Sequence, residues 1–407
     1  MTHDLPLIFT LAVCMTFALF GGLVAVRIGL PPIVGYLLAG IIVGPFTPGI
    51  VADTKLASQL ADVGVMLMMF GVGMHFSFDD LKAVRNVALP GAISQIVVAT
   101  ALTMGVAHLW GWDFRASLTL GFALSIASTV VLIRQMEDMD LLESPDGRIA
   151  VGWLIVEDLV TVIVLVLLPS FAPPADPGSP GHAVELVGAN LFITVGLTFA
   201  KVALFVVVMA VAGRRVLPWL LTRVVRTKSK ELFTLAVIAI AVGVAFGSAE
   251  LFGVTFALGA FFAGLVINES DHSGRAATEL KPLQDVFTVL FFVSVGMLFD
   301  PDVLGTSPVE IVSIVAIILI AKPLVAFLLV IGIGRPAHTA LRVAAGLAQI
   351  GEFSFILGEL GVAMGILPRE GQSLIVVGAL ISITLNPFAF RAAAALEKRN
   401  ALRAKIE

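Results

Sequence analysis

Long apolar stretches separated by short polar ones follow one another along the whole chain. A helix needs roughly 20 apolar residues to cross the hydrocarbon core of a bilayer, and thirteen stretches come close to that length. The apolar residues run continuously instead of alternating with polar ones, which favours helices over the strands of a membrane barrel. The pattern therefore predicts an all-α polytopic membrane protein. The predicted spans are 5–26, 31–47, 56–76, 86–109, 115–135, 148–169, 185–212, 230–247, 251–268, 282–299, 308–333, 339–363 and 371–395.

Composition strengthens this prediction. The 407 residues are 58% hydrophobic and only 13% charged, whereas soluble domains carry about 25% charged residues. The single cysteine, Cys14, lies in an apolar stretch, which argues against a disulfide framework and a cysteine-based metal site. The first stretch has no basic start and no obvious small-residue cleavage site, so it is interpreted as a retained span and not as a signal peptide.

Lysine and arginine are distributed unevenly between alternate loops. One set of loops collects 20 of these residues and the other set 3, while two lysines lie within spans. Cytoplasmic loops are enriched in Lys and Arg, so the N-terminus is predicted outside and the C-terminus in the cytoplasm. The Pro-rich stretch 169–182 then falls outside, between six spans and seven. The basic run 214–230 is predicted to be the largest cytoplasmic loop, which sets the topology and contacts lipid headgroups, not nucleic acid.

The two halves of the chain contain an internal repeat. LADVGVMLMMFGVGMHF (60–76) and LQDVFTVLFFVSVGMLF (283–299) are identical at eight of seventeen positions with an offset of 223. Upstream, YLLAGIIVG (36–44) resembles AFFAGLVIN (260–268) at nearly the same offset. The first six spans then correspond to the last six, and equivalent spans cross the membrane in opposite directions. Such an inverted-topology repeat is typical of secondary transporters, whose binding sites lie near the bilayer midplane.

Two adjacent carboxylates, Glu157 and Asp158, lie at the centre of the span 148–169. Ionisable residues inside a bilayer are costly and are functional by default. Neighbouring residues on a helix point about 100° apart, so one acid can face a cavity while the other faces a neighbouring helix. A monovalent cation and protons that neutralise these acids in turn would make an antiporter. The alternative is that one or both acids only pair with a buried lysine and hold helices together.

Lys322 is the predicted partner of these acids. Its ammonium group needs a counter-ion in apolar surroundings, and two interpretations stay open: a bridge that opens when the cation binds, or a permanent structural bridge. The repeat has no equivalent charges, because residues 157 and 158 correspond to Leu380 and Ile381, and residue 322 corresponds to Ala99. A charge that breaks the symmetry of a duplicated scaffold indicates a site more than packing.

Polar and small residues cluster in the middle of two equivalent spans, within ALSIASTVVLIRQ (123–135) and GLAQIGEFSFILG (346–358). If both helices unwind there, positive helix ends need a nearby anion and free carbonyl groups can coordinate a cation. Glu352 suits the first role and the serines the second. The alternative is that the hydroxyl groups only bond back to their own helix. The residues predicted at this crossing are Ser125, Ser128, Thr129, Gln349, Gly351, Glu352 and Ser354.

Seven stretches, spread over nearly the whole chain and partly overlapping the segments above, carry a family pattern. They are VGYLLAGIIVGPFTPG (34–49), LMMFGVGMHFS (67–77), ASTVVLIRQME (127–137), GWLIVEDLV (152–160), FALGAFFAGLVINES (256–270), VLFFVSVGMLFDP (289–301) and LAQIGEFSFIL (347–357). With them the chain resembles the bacterial cation:proton antiporter-2 family, which includes the Kef-type potassium efflux systems, and within it the YbaL branch.

The resemblance implies a homodimer in the bacterial cytoplasmic membrane and a sodium/proton-antiporter-like fold with thirteen helices, of which helices 5 and 12 are discontinuous and cross. The membrane domain would cover 1–395, ahead of a cytoplasmic tail at 396–407. A core that moves like an elevator would comprise about 86–169 and 308–395, and a dimerisation scaffold about 5–76 and 185–299. Asp158 matches the family's ion-binding aspartate, and Lys322 lies in the span where sodium/proton relatives place a lysine.

The chain departs from the family pattern in two ways. Many relatives have Asp-Asp or Gln-Asp where this chain has Glu157 and Asp158, which leaves the electrogenicity of exchange open. Kef-type and YbaL-type members also usually continue into a nucleotide-binding domain. No glycine-rich fingerprint follows a predicted strand here, so no cofactor is expected in this chain, and a nucleotide is expected only if a further C-terminal domain exists.

The sequence therefore predicts exchange of K⁺ or Na⁺ for protons, with Asp158 and Glu157 as the cation site. A gated K⁺ efflux system that resembles a channel, without obligatory proton coupling, is the alternative. An enzyme is disfavoured because the six histidines lie at or beyond span ends and no HExxH motif occurs. An organic-anion transporter is disfavoured by the net acidity of the predicted site.

Overall fold

A computed structural model describes residues 6–75, 78–141, 144–171 and 191–403. These ranges contain helices and no strand, as the all-α prediction requires. A 3₁₀ turn lies at Leu168–Phe171, and π turns lie at Met209–Gly213 and Ile317–Ala321. The α-helices are α1 Pro6–Arg27, α2 Pro32–Val43, α3 Thr54–His75, α4 Phe78–Leu109, α5 Phe114–Ser125, α6 Thr129–Asp138, α7 Pro145–Leu167, α8 Leu191–Val208, α9 Arg214–Val225, α10 Lys230–Phe252, α11 Phe256–Asn268, α12 Ser273–Met297, α13 Val303–Thr306, α14 Pro308–Ala316, α15 Lys322–Gly332, α16 Ala337–Leu347, α17 Glu352–Ala363 and α18 Arg369–Arg403.

The predicted count of thirteen spans is not confirmed by helix length. Within the described residues, nine helices are long and apolar enough to cross a membrane, and the bent pair α16 and α17 makes a tenth. The predicted spans 31–47 and 251–268 are helices of 12 and 13 residues, which reach only about 18–20 Å at 1.5 Å per residue. The predicted span 115–135 is two short helices, α5 and α6.

The basic run 214–230 is not the predicted loop. Residues 214–225 form helix α9, which continues α8 through the π turn. Leu217 and Leu221 are buried on one face of α9, and their spacing of four residues gives the amphipathic pattern that favours a helix over a loop. The Pro-rich stretch 169–182, the start of the span 185–212 and the end of the tail 396–407 lie largely or partly outside the described residues.

The chain divides into two compact units. Unit 1 comprises Met1–Gly21, Gly35–Phe76 and Val162–Met297, and its helices include α2, α3 and α8 to α12. Unit 2 comprises Gly22–Val34, Ser77–Thr161 and Leu298–Glu407, and its helices include α4 to α6 and α13 to α18. Each unit thus takes helices from both halves of the repeat.

Unit 1 retains the repeat in its helix contacts. Two helix contacts of unit 1 are equivalent in the repeat: α2 with α12, and α11 with α3. In each contact, a glycine of each helix lies directly against a backbone carbonyl of the other helix, where any side chain would collide. Small residues permit such close approach between membrane helices. In the contact of α2 with α12, Gly40 meets Val293 and Gly296 meets Leu37; in the contact of α11 with α3, Gly264 meets Phe70 and Gly73 meets Phe261. Each member of the first contact lies 223 or 224 residues from its counterpart in the second.

The equivalent helices α3 and α12 run in opposite directions. Gly64 on α3 lies against the carbonyl of Phe287 on α12, whereas Gly71, further along α3, lies against the side chain of Gln284, earlier on α12. Gly64 and Phe287 are themselves separated by the repeat offset of 223, so the pseudo-twofold axis of the repeat passes between them. The inverted topology predicted from the sequence is therefore present in unit 1.

Unit 2 contains the two predicted helix breaks. The backbone leaves the helix at 126–128 between α5 and α6, and at 348–351 between α16 and α17, where the two helix axes differ by 41°. Ile126 and Gly351 adopt extended backbone conformations. Gly351 packs against the backbone of Ser128, its equivalent at the offset of 223. The prediction of crossed discontinuous helices is confirmed, and the two breaks meet on the repeat axis.

Candidate functional site

The breaks bring three carboxylates to the helix starts at the crossing. The backbone N–H of Ala127 donates to Glu157 Oε2 at 2.8 Å, the hydroxyl of Thr129 donates to Asp158 Oδ2 at 3.2 Å, and the hydroxyl of Ser128 donates to Glu352 at 3.0 Å. All three carboxylates are buried. Thr129 begins α6 and Glu352 begins α17. The positive ends of both half-helices are therefore matched by negative charge.

Lys322 donates hydrogen bonds at the C-terminal ends of the half-helices α5 and α16, opposite the helix starts that the carboxylates contact. Its ammonium group donates to the carbonyl of Gln349 at 2.8 Å and to that of Leu124 at 3.4 Å. Leu124 lies in the last turn of α5, and Gln349 lies in the break that follows α16. Carbonyl groups at helix C-termini carry partial negative charge, so one buried lysine compensates two helix ends.

The position of Lys322 follows from its own helix. The π turn Ile317–Ala321 precedes it, Lys322 begins α15, and Pro323 follows immediately. Proline has no N–H to contribute to the ladder, and π turns widen a helix locally. These features place a fully buried ammonium group at the crossing.

The crossing is held together by side chains that bond from one half-helix to the other. Gln349 accepts from the N–H of Ser128 at 3.0 Å and donates to the carbonyls of Ser128 and Gly346, each at 3.1 Å. The hydroxyl of Ser354 donates to the carbonyl of Ala123 at 2.5 Å. The hydroxyl of Ser125 bonds back to its own helix. The polar side chains therefore satisfy most of the backbone groups that the breaks release.

At the crossing, one oxygen of each of two buried carboxylates accepts no hydrogen bond from the described residues. Glu157 Oε1 and Asp158 Oδ1 have no hydrogen-bond partner within the described part of the chain. The carboxylates of Glu157 and Glu352 both act electrostatically on Asp158. Buried polar groups are almost always partnered, and removal of a carboxylate from water favours its protonated form unless a cation is near. The chemistry of the two oxygens suits a proton or a small cation.

All the site residues predicted from the sequence lie at or next to this crossing, but one contact differs from the prediction. Lys322 takes part in none of the ion pairs within 4.0 Å among the described residues. Glu157 is nevertheless the charge that acts on Lys322 through space. The lysine bonds to carbonyl groups because the two breaks present helix C-termini that sequence spacing alone does not position.

Gln95 and Trp153 also contribute to the crossing, and neither was predicted from the sequence. Gln95 on α4 donates to the carbonyl of Ser125 at 2.9 Å, and the indole N–H of Trp153 donates to Gln95 at 3.3 Å. Both side chains are fully buried, so they hold the end of α5 in place. The presence of an amide in the middle of the apolar span 86–109 was a signal that could have identified Gln95.

Comparison with known proteins gives a consistent result. A family model described as "Sodium/hydrogen exchanger, transmembrane" matches residues 15–395. YbaL of Escherichia coli, described as a candidate cation/proton antiporter, is 53% identical over 398 residues, which cover 98% of this chain and 70% of that protein. K(+) efflux antiporter 6 of Arabidopsis thaliana is 30% identical over 95% of this chain and 63% of that protein.

The fold also resembles that of a solved structure. The sodium proton antiporter MjNhaP1 from Methanocaldococcus jannaschii superposes with a TM-score of 0.65 over 96% of this chain and 99% of that chain, at 16% identity. The predicted fold class, the transporter class and the family resemblance are thereby confirmed. The chain belongs to the sodium/hydrogen exchanger family.

Proposed function

We propose that the chain exchanges a monovalent cation, K⁺ or Na⁺, for protons, and that Asp158 and Glu157 hold the two in turn. The observation that carries the proposal is a pair of oxygens on adjacent buried carboxylates, Glu157 Oε1 and Asp158 Oδ1, which have no hydrogen-bond partner among the residues that the structure describes. The other oxygen of each carboxylate, Glu157 Oε2 or Asp158 Oδ2, already accepts a hydrogen bond. The second oxygen is therefore held in a fixed position and is available to a proton or a cation.

The exchange follows from competition for the same oxygens. A cation that enters displaces a proton from the carboxyl group, and the departing proton leaves on the side from which the cation came. After reorientation, a proton from the other side displaces the cation. Because protonated carboxyl groups exclude the cation, the half-saturating cation concentration rises as the pH falls, by up to about tenfold per unit for each competing proton.

Glu157 and Asp158 have separate tasks in this proposal. Glu157 is fully buried and fixed to the backbone of Ala127 at the break, which suits a proton-coupled group that also balances Lys322. Asp158 is 8% exposed and is held by the hydroxyl of Thr129. It is the better placed of the two to meet a cation, and Glu352 adds negative charge beside it.

The elevator mechanism extends the proposal to the two units. Unit 2 contains the crossing, the carboxylates and Lys322, and would move as the carrier. Unit 1, with glycine-mediated backbone contacts, would be the fixed scaffold and the homodimer interface. The division of the chain into two compact units supports this assignment. We place the protein in the bacterial cytoplasmic membrane, with the N-terminus outside and the C-terminus in the cytoplasm, from the distribution of Lys and Arg.

The proposal is tested with purified protein in proteoliposomes that contain an interior pH dye. Addition of Na⁺, K⁺ or choline outside identifies the substrate by the proton movement that it drives. Asp158→Asn is expected to reduce this movement to that of protein-free vesicles, because the neutral amide cannot exchange a proton for a cation. Asp271→Asn removes an exposed carboxylate and serves as the matched control. Full activity in Asp158→Asn would refute the assignment, and cation flux without proton flux would establish the channel-like alternative.

A further inference from the structure

A cavity of about 270 Å³ lies wholly within unit 2. One wall is the corner that joins α1 to α2, where residues 26 and 29–33 line the cavity. The other wall consists of Val131 and Gln135 on α6, and of Pro387 and Arg391 on α18. Residues four apart share one face of a helix, so α6 and α18 each turn one face toward the cavity.

The cavity lies on a different face of α6 from the cation site. Thr129 at the start of α6 donates to Asp158. With about 100° between successive helical residues, Val131 and Gln135 lie about 200–240° around the helix from Thr129. The face of α6 that lines the cavity is therefore turned away from Asp158, and the cavity is separate from the carboxylates at the crossing.

The lining of the cavity combines an apolar wall with one cation. The corner contributes Val, Gly, Leu, Pro and Ile residues, and Gln135 and Arg391 are the polar residues among the described lining. Arg391 is exposed and takes part in none of the ion pairs of the described residues. Its guanidinium lies 5.3 Å from the centre of the Phe388 ring. The site therefore offers a positive charge that no carboxylate of the described chain neutralises.

The surroundings of the cavity suit the boundary between lipid tails and headgroups. Val26 in the lining and Phe388 beside Arg391 are both more than half exposed. Arg27, in the last turn of α1, adds a second positive charge to the same corner. The distribution of Lys and Arg predicts that this corner is cytoplasmic. Exposed apolar side chains next to arginine are typical of the cytoplasmic interface, where basic pockets between helices bind anionic headgroups.

We propose that this cavity binds an anionic phospholipid, with the phosphate on Arg391 and the adjoining apolar part along the α1–α2 corner. A guanidinium can donate two parallel hydrogen bonds to a phosphate group. The volume is slightly below the range of about 300–1,000 Å³ of pockets that enclose a whole small ligand. Part of a lipid therefore fits, while the remaining chain lies in the bilayer. The inference does not depend on the proposed exchange.

A lipid in this cavity would join the corner to both broken helices. It would contact α6, which begins at Thr129, the residue that holds Asp158. It would also contact Pro387, whose neighbour Asn386 donates to the carbonyl of Ala345 in the last turn of α16 at 2.8 Å. The bound lipid is therefore expected to stabilise unit 2.

The test measures thermal unfolding of the purified chain in an uncharged detergent during titration with phosphatidylglycerol. Phosphatidylcholine, which has no net charge, and glycerol 3-phosphate, which has no chains, are titrated in parallel. Only phosphatidylglycerol is expected to raise the melting temperature of the wild type, by about 2–4 °C. Arg391→Gln is expected to raise the half-saturating phosphatidylglycerol concentration at least about tenfold, because a charge-assisted contact is lost.

Two further variants separate this cavity from general attraction of headgroups. Leu30→Trp fills the cavity and leaves Arg391 in place, and it is expected to abolish the rise in melting temperature. Arg223→Gln is the matched control, since Arg223 is an exposed arginine outside the cavity whose guanidinium lies 5.5 Å from the Trp219 ring. It is expected to respond to phosphatidylglycerol like the wild type. Native mass spectrometry should show one retained phosphatidylglycerol fewer on Arg391→Gln and Leu30→Trp than on the control.

Several outcomes would overturn the inference. They are an unchanged response in Arg391→Gln, an equal response of the wild type to phosphatidylcholine, and an equal loss in Arg223→Gln. Stabilisation by glycerol 3-phosphate as strong as that by the lipid would replace the phospholipid with a soluble phosphate ligand. Since neither cation nor proton transport is measured, failure of the proposed exchange would leave these results unchanged.

Discussion

Units 1 and 2 are each built from both halves of the same repeat, but they use it differently. In unit 1 the repeat axis passes between Gly64 and Phe287, and equivalent helices make equivalent contacts of glycine on carbonyl. In unit 2 the axis passes between Ser128 and Gly351. There the backbone is again nearly symmetric, with a break in each half, while the charged side chains come from one half or the other and not from both.

The two units differ in what the duplication preserves: backbone contacts in unit 1, and backbone breaks but not charged side chains in unit 2. Backbone contacts need only small residues, so the duplication preserves them in unit 1. The broken helices of unit 2 expose two positive and two negative helix ends, which need compensation in the membrane. Carboxylates compensate the first pair and Lys322 the second. These charges occur once, so the two halves of the crossing are chemically different although their backbones are nearly symmetric.

The largest expected effect comes from loss of the lysine at the crossing. Lys322→Gln leaves the carbonyls of Leu124 and Gln349 without their cationic donor and leaves Glu157 without its balancing charge. Removal of one partner from a buried charged network typically costs about 3–5 kcal/mol. The thermal unfolding of detergent-purified protein, followed by size-exclusion fluorescence, should show a large decrease in melting temperature.

Lys201→Gln is the control for that experiment, because Lys201 is an exposed lysine on α8. It is expected to leave the melting temperature nearly unchanged. If Lys322→Gln were as stable as the control, the compensation of helix ends by Lys322 would be refuted.

An intermediate effect is expected from the symmetric contacts of unit 1. Gly40→Ala and Gly264→Ala each push a methyl group into a backbone carbonyl, of Val293 and Phe70 respectively. Overpacking of this kind costs about 1–3 kcal/mol, and the symmetry of the contacts predicts similar losses for both variants. Gly243→Ala is the control, since the space beside Gly243 is open. Markedly unequal melting temperatures of the two variants would show that the two contacts are not equivalent.

The smallest expected effects distinguish a half-buried ion-pair network in unit 2 from an exposed pair in unit 1. Arg342 bonds to Asp146 at 2.7 Å and to both oxygens of Glu397, and its side chain is 24% exposed. Arg342→Gln is expected to lower the stability by about 1 kcal/mol. Arg214 pairs with Glu269 with 58% exposure, and Arg214→Gln should cost less than about 0.5 kcal/mol. A reversed order in thermal unfolding would contradict this account.

Much of the fold could be predicted, because the hydropathy of the spans and the internal repeat are both visible in the amino-acid sequence. The repeat in LADVGV and LQDVFT located the axis, and the polar clusters near Ser128 and Gly351 located the breaks. The short helices α2 and α11 could not be distinguished from full spans, because apolar residues continue past their ends.

The site was less predictable than the fold. Glu157, Asp158 and Lys322 stood out as charges in apolar spans, but their partners depend on where the helix ends point in three dimensions. The contact of Lys322 with the carbonyl of Gln349 has no sequence signature, and a carboxylate partner was the simpler expectation. Gln95 was missed because a neutral amide attracts less notice than a charge, although it fixes the end of α5.

The central claim is that a cation and protons compete for the carboxylates at the crossing. The most direct test adds Na⁺ or K⁺ to purified protein in weakly buffered detergent with a pH-indicator dye, and choline as the control. The account predicts that the transported cation releases protons from the wild type and that Asp158→Asn releases none. Equal proton release by Asp158→Asn, or no release from a wild-type protein that transports the cation, would contradict it.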